Sequence, residues 1–341
     1  MPPQPDQLVL LFFKDFETDR FFQGDRYLKR VVRPLYNLMH HKQKVSGYKM
    51  VLKLLVKALK EQGCEVRVND HRTAARLPGH PVGLIGYPHI LQGWSLPNPA
   101  LLGPSLFDHP LEAPQLMRDP RFKGYLTLAD WHHRMFKAHY GDVCARFLTG
   151  IDTDAWPDLS AHPKTTDVLV YDKIRWNHEE MRRTLTEPVL RHLEMRGITY
   201  ELVRYKEYDY AGFKRMLARS RSLVFLCEHE TQGLAYQEAM ASNLPVLAWD
   251  NGFWMDPRRP RFEPEPVPAS SVPYFDEALC GSRFHNADAF PAAFDAFWER
   301  LGTYQPRRYV EEHLSLGRSA VQYLEQYTRV ARQPMVFSFA S

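Results

Sequence analysis

Residues Cys227 to Asp250, reading CEHETQGLAYQEAMASNLPVLAWD, constrain the fold more than any other stretch of the chain. The preceding SLVFLC (222–227) is an apolar run of strand length, PVLAW (245–249) is another, and one helix fits between them. Strand, loop, helix and strand in that order make one unit of a parallel α/β sheet. In such sheets ligands sit beyond the carboxyl ends of strands, where the amides of a helix N-terminus can hold phosphate. Glu230 lies in the loop after the first strand, Gly233 marks the turn, and Glu238 lies inside the helix. Both carboxylates therefore border one pocket. Carboxylates are unsuited to phosphate but accept hydrogen bonds from vicinal hydroxyls, so their natural partners are a sugar ring and a ribose.

The same alternation extends over the chain. At 341 residues it exceeds what one core sustains, and two domains are expected. LVLLFF, CEVRV, VGLIGY, ALLGPSLF and YLTL supply strands in the first half; DVLVY, TYELVRY, SLVFLC and PVLAW supply them in the second. Asp209 is placed to cap the helix AGFKRMLARS. The proline-rich stretch Asp256 to Pro273 reads as a long loop near the pocket, followed by helical segments to the end.

Several functions are excluded by pattern. There is no GxGxxG, no GxxxxGK[ST] and no GxSxG. Cys64, Cys144, Cys227 and Cys280 stand far apart, which indicates neither a disulfide framework nor a zinc site. Glu228-His229-Glu230 and Trp131-His132-His133 resemble metal ligands only superficially, because adjacent strand residues point to opposite faces. The N-terminal apolar run, Leu8 to Phe13, is a first strand and not a signal peptide, and no segment approaches a transmembrane span. A cytoplasmic protein is expected. Net charge is only +4, yet Arg26 to Lys60 holds ten Lys/Arg and no acid. Within it Lys49, Lys53, Lys57 and Lys60 recur at helical spacing, opposite a stripe of Met50, Val51, Leu54, Leu55 and Ala58. That face is either solvated or a peripheral contact with anionic membrane at its inner face. No nucleic-acid motif accompanies the charge.

Glu-x7-Glu followed by Ala-Met-Ala and Pro-Val closely resembles the donor-site signature of retaining GT-B glycosyltransferases of the family 4 kind. Other segments agree in order over nearly the whole chain: GYKMVLKLLVKALKEQGCEVRV (47–68), YLTLADWHHRMFKAHYG (125–141), FLTGIDTDAWP (147–157) and VLVYDKIRW. The resemblance is closest to a bacterial subgroup of surface-polysaccharide glycosyltransferases that shares the YDKIRW and FLCEHETQG wording.

The resemblance implies an α/β GT-B fold, two Rossmann-like domains facing across a cleft. Its expected division is an acceptor domain at 1–157, a nucleotide-sugar domain at 158–305, a helix at 306–330 crossing back to the first domain, and a tail at 331–341. It implies a retaining, metal-independent hexosyltransferase of polysaccharide biosynthesis that needs no cofactor, with a nucleotide sugar as donor and a glycan or lipid-linked acceptor. Glu230 would bind the transferred sugar, Glu238 the ribose, and Thr231, Gln232, Gly233 and Leu234 would embrace the diphosphate. The usual Glu-Gly-Phe-Gly is here Glu230-Thr231-Gln232-Gly233, which suits a less common donor. Lys173 and Arg175 stand where basic residues meet the diphosphate, stabilising charge as it builds on the leaving group. Gly47, before the first long helix, would let backbone approach the same phosphates, with Lys49 beside it. His109 in PSLFDHP occupies the place of a catalytic histidine, with Asp108 and His89 as rivals. Two other readings stay open: a nucleotide-sugar-binding subunit without turnover, and a nucleotide-sugar epimerase on the same fold.

Overall fold

The computed structural model describes residues 7–15, 46–104 and 106–332. Residues 26–45 of the basic run, and all but the first two residues of the expected tail, lie outside them.

Where the chain offers consecutive apolar side chains, strands form that are buried on both faces, as parallel sheets require. The first sheet comprises β1 (Leu8–Lys14), β2 (Glu65–Val68), β3 (Val82–Gly86), β4 (Ala100–Leu102), β5 (Phe122–Thr127) and β6 (Cys144–Arg146), in the order β2-β1-β3-β4-β5-β6. The second comprises β7 (Thr166–Asp172), β8 (Tyr200–Arg204), β9 (Ser220–Leu226), β10 (Val246–Trp249) and β11 (Gly281–Phe284), in the order β11-β10-β9-β7-β8. Every pairing in both is parallel. From β7 the chain first adds β8 on one side and then β9 on the other. That reversal opens a crevice at the carboxyl ends of β7 and β9.

The first long helix, Gly47–Glu61, is capped by Ser46, whose side chain accepts from the Lys49 amide at 3.2 Å. Gly47 is thus the first helical residue and not a loop residue, and a Cβ there would meet nothing within 4 Å. The buried stripe is Val51, Leu52, Leu55, Ala58 and Leu59, so the helix is rotated from the stripe expected through Met50 and Leu54. Its lysine face is partly neutralised: Lys49 pairs with Asp15 at 3.1 Å, and Lys57 with Asp152 at 2.6 Å and Glu61 at 3.6 Å. Among the described residues no helix is long and apolar enough to cross a membrane.

Two segments join the sheets. The last helix, Leu316–Arg332, packs Ala320, Tyr323, Tyr327 and Val330 into the core of the first sheet. The Tyr327 hydroxyl accepts from the Leu10 amide at 2.9 Å and donates to the Pro81 carbonyl. Tyr323 lies so close to β3 that a Cβ on Gly83 would sit 1.9 Å from its hydroxyl, so only glycine fits. The second segment is the proline-rich loop, interrupted by a 3-10 turn at Arg259–Arg261. It inserts Ala269, and the residues just before it insert Trp254, among Leu102, Trp131 and their neighbours in the first sheet's core. An aromatic side chain buries roughly 150–250 Å², several kcal/mol at about 25 cal/mol per Å². The accompanying Arg258–Asp108 pair, 2.6 Å apart and half-exposed on both sides, is worth about 0–1 kcal/mol. Apolar burial holds the loop in place.

Candidate functional site

The crevice is built from two turns, one after each central strand. After β7 the buried Asp172 carboxylate accepts from the Ile174 amide at 3.0 Å and engages His178 at 2.8 Å, turning the chain sharply. The Lys173 amide donates to Leu226 O at 2.8 Å, which ties this turn to the end of β9. Its ammonium, largely buried, pairs with the Glu230 carboxylate and lies 4.9 Å from the centre of the Tyr205 ring. Burial by itself lowers the Lys173 pKa, but the charge of Glu230 and further groups outweighs it and holds the pKa above its ordinary value. Lys173 is therefore a cation at neutral pH.

The second turn, residues 227–233, is irregular and crosses to the first sheet. Trp131 Nε1 donates to Glu230 O at 3.0 Å, and the Ala129 amide donates to Thr231 O at 3.1 Å. Gln232 closes a two-way bond with Thr149: its Oε1 accepts from the Thr149 amide at 2.9 Å and its Nε2 donates to the Thr149 carbonyl at 3.2 Å. The remaining Gln232 N–H goes to Gln237 Oε1 at 2.7 Å, so this side chain holds the loop and has no amide hydrogen left for a ligand. Gly233 has φ of 78°, and a Cβ there would lie 2.1 Å from the Tyr236 ring. Only glycine serves at this entry. Leu234 begins the helix Leu234–Ala241, one turn into which sits Glu238.

Glu238 is buried and accepts from the Tyr210 hydroxyl at 2.8 Å. Burial pushes its pKa up to about 8, against the lowering effect of Tyr210, Lys214 and Lys173. Lys173, Glu230, Thr231, Gln232, Gly233, Leu234 and Glu238 are thus brought together around one helix N-terminus. Arg175 joins them through Glu228, a residue that sequence reasoning treated only as a false metal ligand. The three acidic-motif side chains diverge: Glu228 turns to Arg175, Glu230 to Lys173, and His229 stacks on Trp176 at 5.4 Å. Tyr210 was equally missed; its position just after the Asp209 cap is the signal that could have found it.

His109 is placed elsewhere, with its side chain engaged by the protein. It is fully buried between Phe262 at 4.6 Å and Trp254 at 5.9 Å, both rings stacked on it. Its Nδ1 accepts from the Leu111 amide at 3.1 Å, capping the turn Pro110–Glu112, and its Nε2 lies 3.0 Å from Glu263 Oε1. Because Nδ1 accepts, Nε2 carries the proton and donates to Glu263. Burial lowers its pKa, which favours this neutral form. No nitrogen is left for a sugar hydroxyl. The two rivals are also engaged, Asp108 by Arg258 and His89 by Asp15 O at 3.0 Å. Gly47 and Lys49 lie in the first turn of the helix on the first sheet, where Lys49 pairs with Asp15. His109, His139 and Glu263 form the one cluster of three metal-ligating side chains among the described residues. Ligation through Nε2 would strip the proton from an imidazole whose other nitrogen already accepts, so the cluster fits a metal poorly.

No family model and no curated protein matches the sequence. Solved structures do match. A glycosyltransferase involved in avilamycin A biosynthesis, AviGT4, aligns over 96% of this chain and 99% of its own at 14% identity, with a TM-score of 0.56. The catalytic domain of starch synthase IV from Arabidopsis thaliana, bound to ADP and acarbose, aligns over 97% and 100% at 11% identity and a TM-score of 0.57. The pneumococcal O-GlcNAc transferase GtfA, in complex with UDP and GlcNAc, aligns over 77% of this chain and 60% of its own at 12% and 0.52. At these identities the likeness is one of fold. The fold is α/β of the GT-B type, with two Rossmann-like domains.

Proposed function

We propose that this chain transfers a hexosyl group from a nucleoside-diphosphate sugar to an acceptor hydroxyl, with retention of anomeric configuration and without a metal ion. One observation carries the reading: two buried carboxylates and a largely buried lysine converge on a helix N-terminus in the crevice between β7 and β9. The ligands in two structures of this fold, ADP with acarbose and UDP with GlcNAc, support it.

In this reading Glu238 accepts the ribose hydroxyls and Glu230 those of the sugar. The Lys173–Glu230 pair must first open. Its ammonium then passes to the diphosphate, and the freed carboxylate turns to the sugar, so one exchange prepares both ends of the scissile bond. As the bond from the anomeric carbon to the diphosphate oxygen breaks, negative charge grows on the leaving group and positive charge on the sugar. Lys173, Arg175 and the amides of residues 231–234 stabilise the first, and the Glu230 carboxylate stands beside the second. The acceptor is a glycan or a lipid-linked glycan, met at the inner face of the membrane, where the exposed Lys53 and Lys60 would add to the basic segment before them.

Incubation with a panel of UDP-, GDP-, ADP- and TDP-sugars tests this. Release of nucleotide from one class, undiminished by chelator, is the expected result. Failure of every member to bind by calorimetry would sink the donor-site reading, and activity lost to chelator and restored by manganese would overturn metal independence.

A further inference from the structure

Arg175 and Lys173 are held in opposite ways. Lys173 has a single carboxylate partner, Glu230, which the proposed reaction needs for the sugar. Arg175 is fastened from several sides. The Glu228 carboxylate, 1% exposed, accepts from the Arg175 amide at 2.7 Å and the Trp176 amide at 3.0 Å through Oε1, and from Arg175 Nε at 3.3 Å through Oε2. Arg175 Nη2 donates to His229 O at 2.7 Å, and its guanidinium lies 4.3 Å from the centre of the Trp176 ring, itself stacked on His229. Two of the five guanidinium N–H groups are thereby committed, and three remain.

We infer that Glu228 is a positioning residue that locks Arg175 as the fixed diphosphate cation, leaving Lys173 as the exchangeable one. This rests on the donor-site reading above and adds a division of labour to it. Among the described residues Glu228 pairs with no other cation, and its carboxylate is buried while Arg175 reaches the surface of the crevice. A carboxylate that holds both the backbone of a turn and the side chain projecting from it fixes that side chain before any ligand arrives. Catalysis gains from charge already oriented toward where the leaving group will be, because no reorganisation is then needed as the bond breaks.

Glu228→Gln separates this role from a merely structural one. The amide oxygen can still accept from the two backbone N–H groups, but the amide nitrogen meets Arg175 Nε donor to donor. Binding of UDP, GDP, ADP and TDP, and of the matching nucleosides, is to be measured by calorimetry for wild type, Glu228→Gln, Arg175→Lys and the double variant. Glu228→Gln is expected to reduce the gain in affinity from nucleoside to diphosphate by about tenfold or more, with nucleoside affinity retained. Arg175→Lys, which leaves the Glu228 bonds to backbone in place, should lose a similar factor. The double variant should be no worse than the more affected single one, since both act through one guanidinium. An unchanged diphosphate gain in folded Glu228→Gln, or losses that multiply in the double variant, would overturn the inference while leaving the donor site standing. If Glu228→Gln does not fold, Arg175→Lys decides: an unchanged diphosphate gain there also overturns it. Wild-type protein that binds none of the eight compounds takes down both.

Discussion

Two buried acid–base contacts sit where the halves of the molecule meet, and they differ in what they leave unsatisfied. At His109 and Glu263 the imidazole has spent both nitrogens on the protein, one on Leu111 and one on the carboxylate, between two stacked rings. At Lys173 and Glu230 each group has one principal ionic partner, and nearby Glu238 accepts one side-chain hydrogen bond, from Tyr210. A carboxylate can accept about four. Spare capacity at a buried polar group is costly to stability, so the open acceptor sites of Glu230 and Glu238 set the proposed donor site apart from the fully engaged His109 imidazole.

The largest effect that should sharpen this contrast comes from the carboxylate pair. Glu230→Ala is expected to lower transfer by about 10-fold to 150-fold, the worth of one charge-assisted hydrogen bond, mainly in kcat, and to spare free nucleotide. Glu238→Ala should weaken free nucleotide and donor alike, since the ribose is in both. Calorimetry with the nucleoside diphosphate, set beside turnover, distinguishes them; two variants that behave alike would break the assignment. Next in size is His109→Phe, which keeps the ring stack and removes both nitrogens. It is expected to cost about 1–3 kcal/mol in stability, from the unpaired Leu111 amide and Glu263, and to leave the turnover of folded enzyme within a few-fold of wild type. A folded His109→Phe enzyme with collapsed turnover would return His109 to the chemistry and erase the distinction.

The smallest effect is one of pH. The folded-state pKa of Glu238 stands near 8 because burial disfavours its charge. The neutral form is the one the fold favours, so its contribution to stability is full below the ordinary carboxyl pKa and is lost as pH rises through about 8. Thermal unfolding of the unliganded protein should thus move to lower temperature between about pH 4.5 and about pH 8, with no further shift from this group above that. Ribose hydroxyls prefer the carboxylate, and nucleotide affinity should rise over the same interval, by less than tenfold per pH unit, then level off. An affinity flat in pH would show that Glu238 does not meet the ribose, and Glu238→Gln should abolish the slope.

The central strands were legible because LVLLFF, DVLVY, SLVFLC and PVLAW are apolar runs bounded by polar residues, the pattern that burial on both faces demands. β6 and β11 were not. CAR and GSRF are short edge strands whose pairing is decided by their neighbours and not by their own composition. The same distinction runs through the site. The places of Glu230, Gly233 and Glu238 could be read because they follow from spacing along one loop and helix. Glu228 and Tyr210 owe theirs to partners 53 and 28 residues distant, and of the two only Tyr210, just after the Asp209 cap, carries a local signal. The surroundings of His109 were hidden for the converse reason: it follows a strand, but Glu263 and Phe262 arrive from a proline-rich loop whose docking the sequence does not announce.

The main chain of Glu230 and Thr231 and the side chain of Gln232 are stitched to Trp131, Ala129 and Thr149 of the other half. Widening the cleft would pull on the loop that carries Glu230. If this loop holds the donor as proposed, donor affinity is a gauge of the gap between the sheets, and by thermodynamic reciprocity a bound donor resists any widening to the same degree. An acceptor too bulky to enter without prising the sheets apart would antagonise the donor while touching none of its residues. A slim one would not.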